Sequence, residues 1–364
     1  MLKELRSMSF TEELRRELEE KLRSVDKTPV KIALLGQPGA GKSSVINSLI
    51  GEYLFETGVH TDTTTESKEV KWGSLVITDL PGYGTKAFPI DAWKNKFSVD
   101  QYDMYLFVFS GKLSEADGNL FQYLDEISKQ REHPYFIVRN KLDDIWDKVK
   151  PLEQLKEEIV CDVKSKMGRE DVDVFFTSCK YEKGFTELKT AIFDSSLSKV
   201  QKSKLIFEFK AATEADLDRK KEVAMEHVNL SAFASAVNGL NPIPGVDISV
   251  DLGIFWQLMS EIRKTYDLDD EEKLNKYLQI LGPAAKKLVD EVLAYFTKDG
   301  IVVVLKQLGM KYARQKASKY IPGVGMVMSS VLGYYMTKEL GEGYVDVCHE
   351  LSKQILEKTV SDSK

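Results

Sequence analysis

The segment Gly36-Gln37-Pro38-Gly39-Ala40-Gly41-Lys42-Ser43 reads GxxxxGKS and carries the most specific chemistry in the chain. An apolar run, Val30 to Leu35, precedes it, and an apolar-periodic segment, Ser44 to Leu49, follows. Strand, glycine-rich turn and helix make the setting in which a loop wraps phosphates with its backbone N–H groups. Glycine permits that close approach. The pattern predicts that Gly36 through Ser44 cradle a nucleotide's phosphates. Lys42 should reach the β- and γ-phosphates, and Ser43 should set its hydroxyl on Mg²⁺.

Three further groups fall in order behind this loop. Leu75-Val76-Ile77-Thr78 reads as a strand ending at Asp79-Leu80-Pro81-Gly82. There Asp79 can hold Mg²⁺ through water, and Gly82 can offer its N–H to the γ-phosphate. A strand end with a Pro-Gly turn is the plainer alternative. Asn140-Lys141-Leu142-Asp143 follows the apolar strand Tyr135 to Val138. A carboxylate can accept from guanine N1–H and its exocyclic amine together, a pair that adenine lacks. Asp143 is therefore expected to select guanine, Asn140 to brace the loop and bond N7, and the Lys141 stem to lie over the base. A third strand, Val174 to Thr177, ends at Ser178-Cys179-Lys180, whose backbone N–H groups could hold guanine O6. Between the first two motifs lie Thr61, Thr63, Thr64 and Thr65. A switch segment needs one hydroxyl on Mg²⁺ and a backbone contact to the γ-phosphate. Thr64 is the first choice and Thr63 the second, because spacing leaves the register open; a threonine-rich loop into an edge strand is the alternative.

Together these motifs resemble the immunity-related GTPases, the interferon-inducible family of vertebrates that also has bacterial relatives. The resemblance covers most of the chain. It rests on the loop and its continuation through Asn47, on Thr57-Gly58-Val59, and on Asp79-Leu80-Pro81-Gly82-Tyr83-Gly84-Thr85. Tyr102-Asp103 to Phe109-Ser110, Phe136-Ile137-Val138-Arg139 and Asn241-Pro242-Ile243-Pro244-Gly245-Val246-Asp247 add to it. It implies a dynamin-like enzyme that hydrolyses GTP to GDP with Mg²⁺. It also implies a homodimer or higher oligomer formed through the nucleotide face, with membrane lipid as a peripheral partner. The chain departs from the family in three respects. It starts Met1-Leu2-Lys3, without the glycine that N-myristoylation requires. It has Asn140-Lys141 where the family commonly has Thr-Lys, and it is shorter than vertebrate members, which suggests a bacterial or invertebrate relative. Tyr83 stands where many small GTPases have a water-orienting glutamine, and tyrosine cannot make the same two contacts. Activation then falls to the phosphate and ordered backbone, or to a second protein molecule. A slow monomer stimulated by a partner is expected.

The elements that must position these groups follow from pattern and length. Residues 29–197 alternate strands with helices, which predicts an α/β P-loop NTPase of Ras-like type with a mostly parallel sheet. From Lys199 strand signals nearly vanish, so residues 198–364 are expected to form an all-α domain. Residues 1–28 should pack on that domain, since Leu14, Leu18 and Leu22 make a stripe and Ser9 with Glu12 a capping box. Glu208 to His227 reads as a charged surface helix, followed by the small, apolar Leu230 to Leu240. Ile243-Pro244-Gly245-Val246 recurs as Ile321-Pro322-Gly323-Val324, and each reads as the turn of a helical hairpin. These tips, and the run Ile301 to Leu305, are expected in the core, with bilayer contact as the alternative; none approaches the roughly 20 apolar residues of a spanning helix.

Composition narrows the function classes. A net charge of −6 argues against nucleic acid as a partner, and so against an RNA GTPase. Three cysteines without metal-ligand spacing fit a reducing compartment. Met1 to Lys27 is charged throughout, which predicts a cytoplasmic rather than secreted protein, peripheral on membranes at most. The alternative to a self-associating enzyme is a GTP-switched binding module, slow in hydrolysis, whose helical domain engages a protein effector.

Overall fold

Short runs rich in β-branched and aromatic residues, apolar in all but the charged edge strand Lys68–Trp72, form the strands. They are β1 (Val30–Gly36), β2 (Lys68–Trp72), β3 (Leu75–Asp79), β4 (Met104–Phe109), β5 (Tyr135–Arg139) and β6 (Val174–Phe176). The computed structural model describes residues 28–56, 67–83, 90–238, 249–304 and 325–362. The strands make one six-stranded sheet in the order β2-β3-β1-β4-β5-β6. All neighbours are parallel except β2, which runs antiparallel to β3 at the edge. Charged Lys68, Glu69 and Lys71 suit that edge, whereas β4 is buried along its whole length. Helices cover both faces, as a parallel sheet requires.

Alternation along β1 divides the core in two. Ile32 and Leu34 pack with Leu106, Val108 and the helices α1 (Lys42–Ile50), α5 (Phe185–Asp194) and α6 (Lys199–Glu208). Ala33 and Leu35 face the other way, with Tyr105, Phe107 and the helices α2 (Ile90–Lys96), α3 (Glu115–Arg131) and α4 (Leu152–Met167). The first compact unit runs from Lys27 to Lys210. It therefore holds α6, which lies beyond the domain boundary at 197 expected from sequence. Leu205 and Phe209 bury there, and Glu208 accepts from the Ser74 N–H at 2.8 Å and its hydroxyl at 3.0 Å.

The second unit takes the described residues from Ala211 onward and is helical. It contains α7 (Glu214–Asn238), α8 (Ser249–Thr265), α9 (Glu271–Leu281), α10 (Lys286–Ala294) and α11 (Gly325–Asp362). Most of the charged segment and of the small, apolar one, read separately in the sequence, form the single helix α7, while Glu208 ends α6. Helix α7 buries Leu217, Ala224 and Val228, and with them Asp216 and Lys220, whose ammonium donates to the Thr265 carbonyl at 2.7 Å. Helix α11 approaches it closely: a Cβ on Gly341 would stand 2.8 Å from a Val228 methyl. Thr337 Oγ1 bonds Ser235 Oγ at 2.8 Å. On α8 the stripe Phe255, Leu258, Met259 and Ile262 is buried at helical spacing. Ile301 is buried in this core and Val303 is 54% exposed. No described helix is long and apolar enough to cross a membrane. The amphipathic N-terminal stripe and both Ile-Pro-Gly-Val turns lie outside the described residues.

Candidate nucleotide site

The parallel register brings the ends of β1, β3, β4 and β5 to one edge of the sheet: Leu34 pairs with Asp79, Gly36 with Val108, and Phe109 with Arg139. The strand ends there, with the loops and the helix start that follow them, carry Gly36 to Ser44, Asp79, Gly82, Asn140 to Asp143 and Ser178 to Lys180. This carboxyl edge is where open α/β sheets bind ligands.

Gly36 and Gly41 show why the GxxxxGKS loop needs glycine. A Cβ on Gly36 would lie 1.9 Å from the Val108 carbonyl oxygen, and one on Gly41 only 2.4 Å from Asn140 Nδ2. Both have positive φ, 123° and 87°. Gly41 caps α1 without a side-chain bond, and no acid occupies the first turn. The helix start is thus left with backbone donors and an uncompensated positive dipole end. Pro38 and Gly39 are exposed, Ala40 is buried, and Ser44 is half-buried in the first turn of α1.

Lys42 folds back along the loop, its Nζ 3.5 Å from the carbonyl oxygens of Gly36 and Gln37 and 3.8 Å from Asp79 Oδ1. Ser43 Oγ donates to Asp79 Oδ2 at 3.3 Å. Asp79 Oδ1 is buried without a hydrogen-bond partner. Burial pushes this carboxyl above its ordinary value, while the Lys42 ammonium, the Ser43 hydroxyl and Lys68 pull it back. A hydroxyl and an under-satisfied carboxylate together are hard oxygen donors of the kind Mg²⁺ takes. Thr61 to Thr65, with the candidate Thr64, lie outside the described residues.

Asn140 joins its own turn to the GxxxxGKS loop. It is 2% exposed, and its Nδ2 donates to the Ala40 carbonyl at 2.9 Å. Its Oδ1 accepts from Thr177 Oγ1 at 3.2 Å and Cys179 Sγ at 3.4 Å. Lys141 is held at φ 57°, a left-handed backbone unusual for a side chain of its size. That turn starts a short 3₁₀ segment, Leu142–Asp144, and exposes Asp143. The Ser178 hydroxyl donates to Asp143 Oδ1. This bond, with Lys180 and Lys141 assisting, holds the Asp143 carboxyl below the usual range. Burial pushes the Cys179 thiol up. Lys180 is exposed, its ammonium 5.0 Å from the centre of the Tyr181 ring.

Sequence reasoning missed several members of this site. Thr177 and Arg139 support Asn140, the arginine by donating to the Asn140 carbonyl oxygen. Buried Trp93 donates its indole N–H to the Pro81 carbonyl at 2.9 Å. Asp117, legible as half of a Ser114-x-x-Asp117 capping box, also accepts from Tyr83 and Gln37.

The family model Interferon-inducible GTPase (IIGP) matches residues 7–358. The chain belongs to this family. Among relatives, Interferon-gamma-inducible GTPase 10 of Mus musculus is 26% identical over 275 residues, covering 70% of this chain and 64% of that protein. Interferon-inducible GTPase 1 of Mus musculus is 24% identical over 322 residues, or 82% of this chain and 74% of that one. The chain thus spans less than two thirds of the length of the first relative. Among solved structures, a probable GTP-binding protein engB is 22% identical with a TM-score of 0.33. That match covers 45% of this chain and 97% of that one. Family membership and the mixed, mostly parallel sheet agree with the fold expected from the motifs.

Proposed function

We propose that this chain is a Mg²⁺-dependent GTPase that hydrolyses GTP to GDP and phosphate. In this reading it self-associates through its nucleotide face in the GTP state and acts peripherally on membranes from the cytoplasm. The observation that carries the nucleotide part is Asn140, whose amide bridges the phosphate loop and the loop presenting Asp143. Phosphate and base subsites are thereby held at a fixed separation before any ligand arrives. The glycine-lined loop and the α1 start bind and orient the phosphates, and Lys42 turns from the loop carbonyls to the β- and γ-oxygens. Ser43 and Asp79 hold the metal, Asp79 through water, and Thr64 is the remaining candidate ligand. Bound there, Mg²⁺ would neutralise charge on the β- and γ-phosphates. Asp143 selects guanine, Ser178 keeps its oxygen aligned, and the Ser178–Lys180 backbone closes around guanine O6.

Pairing is supported by family membership and by the absence of glutamine at position 83, which leaves a lone copy short of a water-orienting group. Membrane action is supported by family resemblance alone. Reversible attachment through several weak contacts in a cluster is its physical form. GTP and ATP turnover measured against protein concentration, with and without lipid vesicles, tests the reading. A specific GTPase rate that rises with concentration and further with lipid supports it. A flat rate points instead to a GTP-switched module with a protein effector.

A further inference from the structure

The chain that leaves β3 is fixed at successive residues. Leu80 donates its N–H to the Leu34 carbonyl at 3.1 Å, and the Pro81 carbonyl is held by Trp93. Gly82 lies against the phosphate loop, where a Cβ would stand 3.4 Å from Pro38 Cγ. Tyr83 then sets its ring on Trp93, centroids 5.2 Å apart, and donates its hydroxyl hydrogen to Asp117 Oδ1 at 2.5 Å. Burial, reinforced by the Asp117 carboxylate, keeps the Tyr83 phenol far above 10, so this hydroxyl remains the donor.

Asp117 is only 2% exposed. Its Oδ2 accepts from the Ser114 N–H at 2.7 Å, the Ser114 hydroxyl at 2.8 Å and Gln37 Nε2 at 3.3 Å. Gln37 itself grips the neighbouring loop, donating to the Lys112 carbonyl at 2.7 Å and accepting from the Gly111 N–H at 3.3 Å. A helix cap uses Oδ2 only. The second oxygen faces Tyr83, and burying a carboxylate is costly unless its partners are in place.

We propose that Asp117 is a positioning residue for the γ-phosphate end of the site, acting through Tyr83 on Gly82 and through Gln37 on the phosphate loop. The inference rests on the nucleotide reading above. Its consequence is selective along the Tyr83 arm, which meets Gly82 and not the loop assigned to the inner phosphates: loss of the Tyr83 hydroxyl spares diphosphate binding, while triphosphate recognition and turnover suffer.

The test uses the full chain and four variants: Tyr83→Phe, Asp117→Asn, their double, and Ser114→Ala as a cap-only control. Tyr83→Phe keeps the ring on Trp93 and deletes only the hydroxyl. GDP affinity should stay within about twofold, while kcat falls about tenfold and a non-hydrolysable GTP analogue binds more weakly. The double variant should be no slower than the slower single, because both break one linkage. Ser114→Ala should lower the melting temperature at least as much as Tyr83→Phe yet keep the parental kcat. Parental kcat and an unchanged analogue-to-GDP affinity ratio in Tyr83→Phe would overturn the inference. So would an equal loss of kcat in Ser114→Ala, which would make the network merely structural. A parent chain that binds neither GDP nor the analogue overturns the nucleotide reading itself. One that binds both, with Tyr83→Phe indistinguishable from it, overturns this inference alone.

Discussion

A side chain that reads a base must stay open to its ligand and yet be aimed before the ligand arrives. Asp143 meets both conditions: it is exposed, and Ser178 holds one of its oxygens. Asp143→Asn should cost guanine binding about 3 kcal/mol and improve xanthine recognition, since two charge-assisted bonds are lost and a donor appears. Equal affinity of the parent for ATP and GTP in a competition assay would refute the assignment. Lys42→Ala and Ser43→Asn, each removing one group around Asp79, should separately cripple triphosphate binding or turnover; parental rates in both would refute the phosphate loop. Asp79 itself carries a conflict between stability and use. Its folded carboxyl titrates above the ordinary value of 3.8 because burial disfavours the charge. Its contribution to stability is therefore present below that ordinary value and lost as pH rises through the raised one. Asp79→Asn should then melt higher than the parent without nucleotide at neutral pH. That advantage should shrink as pH falls through the raised value, while Mg²⁺-dependent turnover collapses. A nucleotide-free variant that melts below the parent at neutral pH would show that the Lys42 and Ser43 contacts outweigh desolvation.

Elements matter here because the sheet edge gathers loops distant in sequence, and only some of that gathering is legible beforehand. The GxxxxGKS loop, the Asp79 strand end and the Asn140 turn are legible as local strings, and together in that order they point to one site. The bridge from Asn140 to Ala40 spans a separation no local pattern encodes, although both ends belong to recognised motifs. Asp117 is harder still. Its capping role shows at i, i+3, but its bond to Tyr83 exists only because α3 starts beside the chain leaving β3. Helix α6 was likewise invisible as a member of the sheet unit, since its charged surface reads like the helices that follow. Leu205, Phe209 and Glu208 attach it, through apolar burial and two bonds to Ser74. A fragment of residues 28–210 should therefore be distinctly more stable than one of residues 28–197. Losing the two buried side chains costs about 4 kcal/mol, or on the order of 10 °C in melting temperature. Equal melting temperatures by circular dichroism would return the boundary to 197.

At the scale of the whole molecule, the sequence separates a sheet-bearing unit from a helical one, because strand signals alternate with helical ones up to about residue 197 and nearly vanish beyond it. What it leaves open is how the proposed phosphoryl-transfer site, without a water-orienting glutamine, would reach a useful rate. Tyr83 is committed to Asp117 and Trp93. The missing function must come from ordered backbone, from the phosphate itself, or from another copy of the chain. The proposed self-association would supply the last. A contact that completes the site should depend on the γ-phosphate, since only the triphosphate presents charge at the mouth of the loop. Association is then expected to be weak with GDP and strong with a non-hydrolysable GTP analogue, and the specific turnover rate should rise with protein concentration. Sedimentation velocity in each nucleotide state gives the first quantity, and phosphate release across a dilution series gives the second. A monomer in every state up to tens of micromolar protein, with a flat specific rate, would remove stimulation in trans. The mixed case is informative too: association without acceleration would mean that the contact stores the GTP state rather than discharging it, the behaviour of a switch whose helical unit meets an effector.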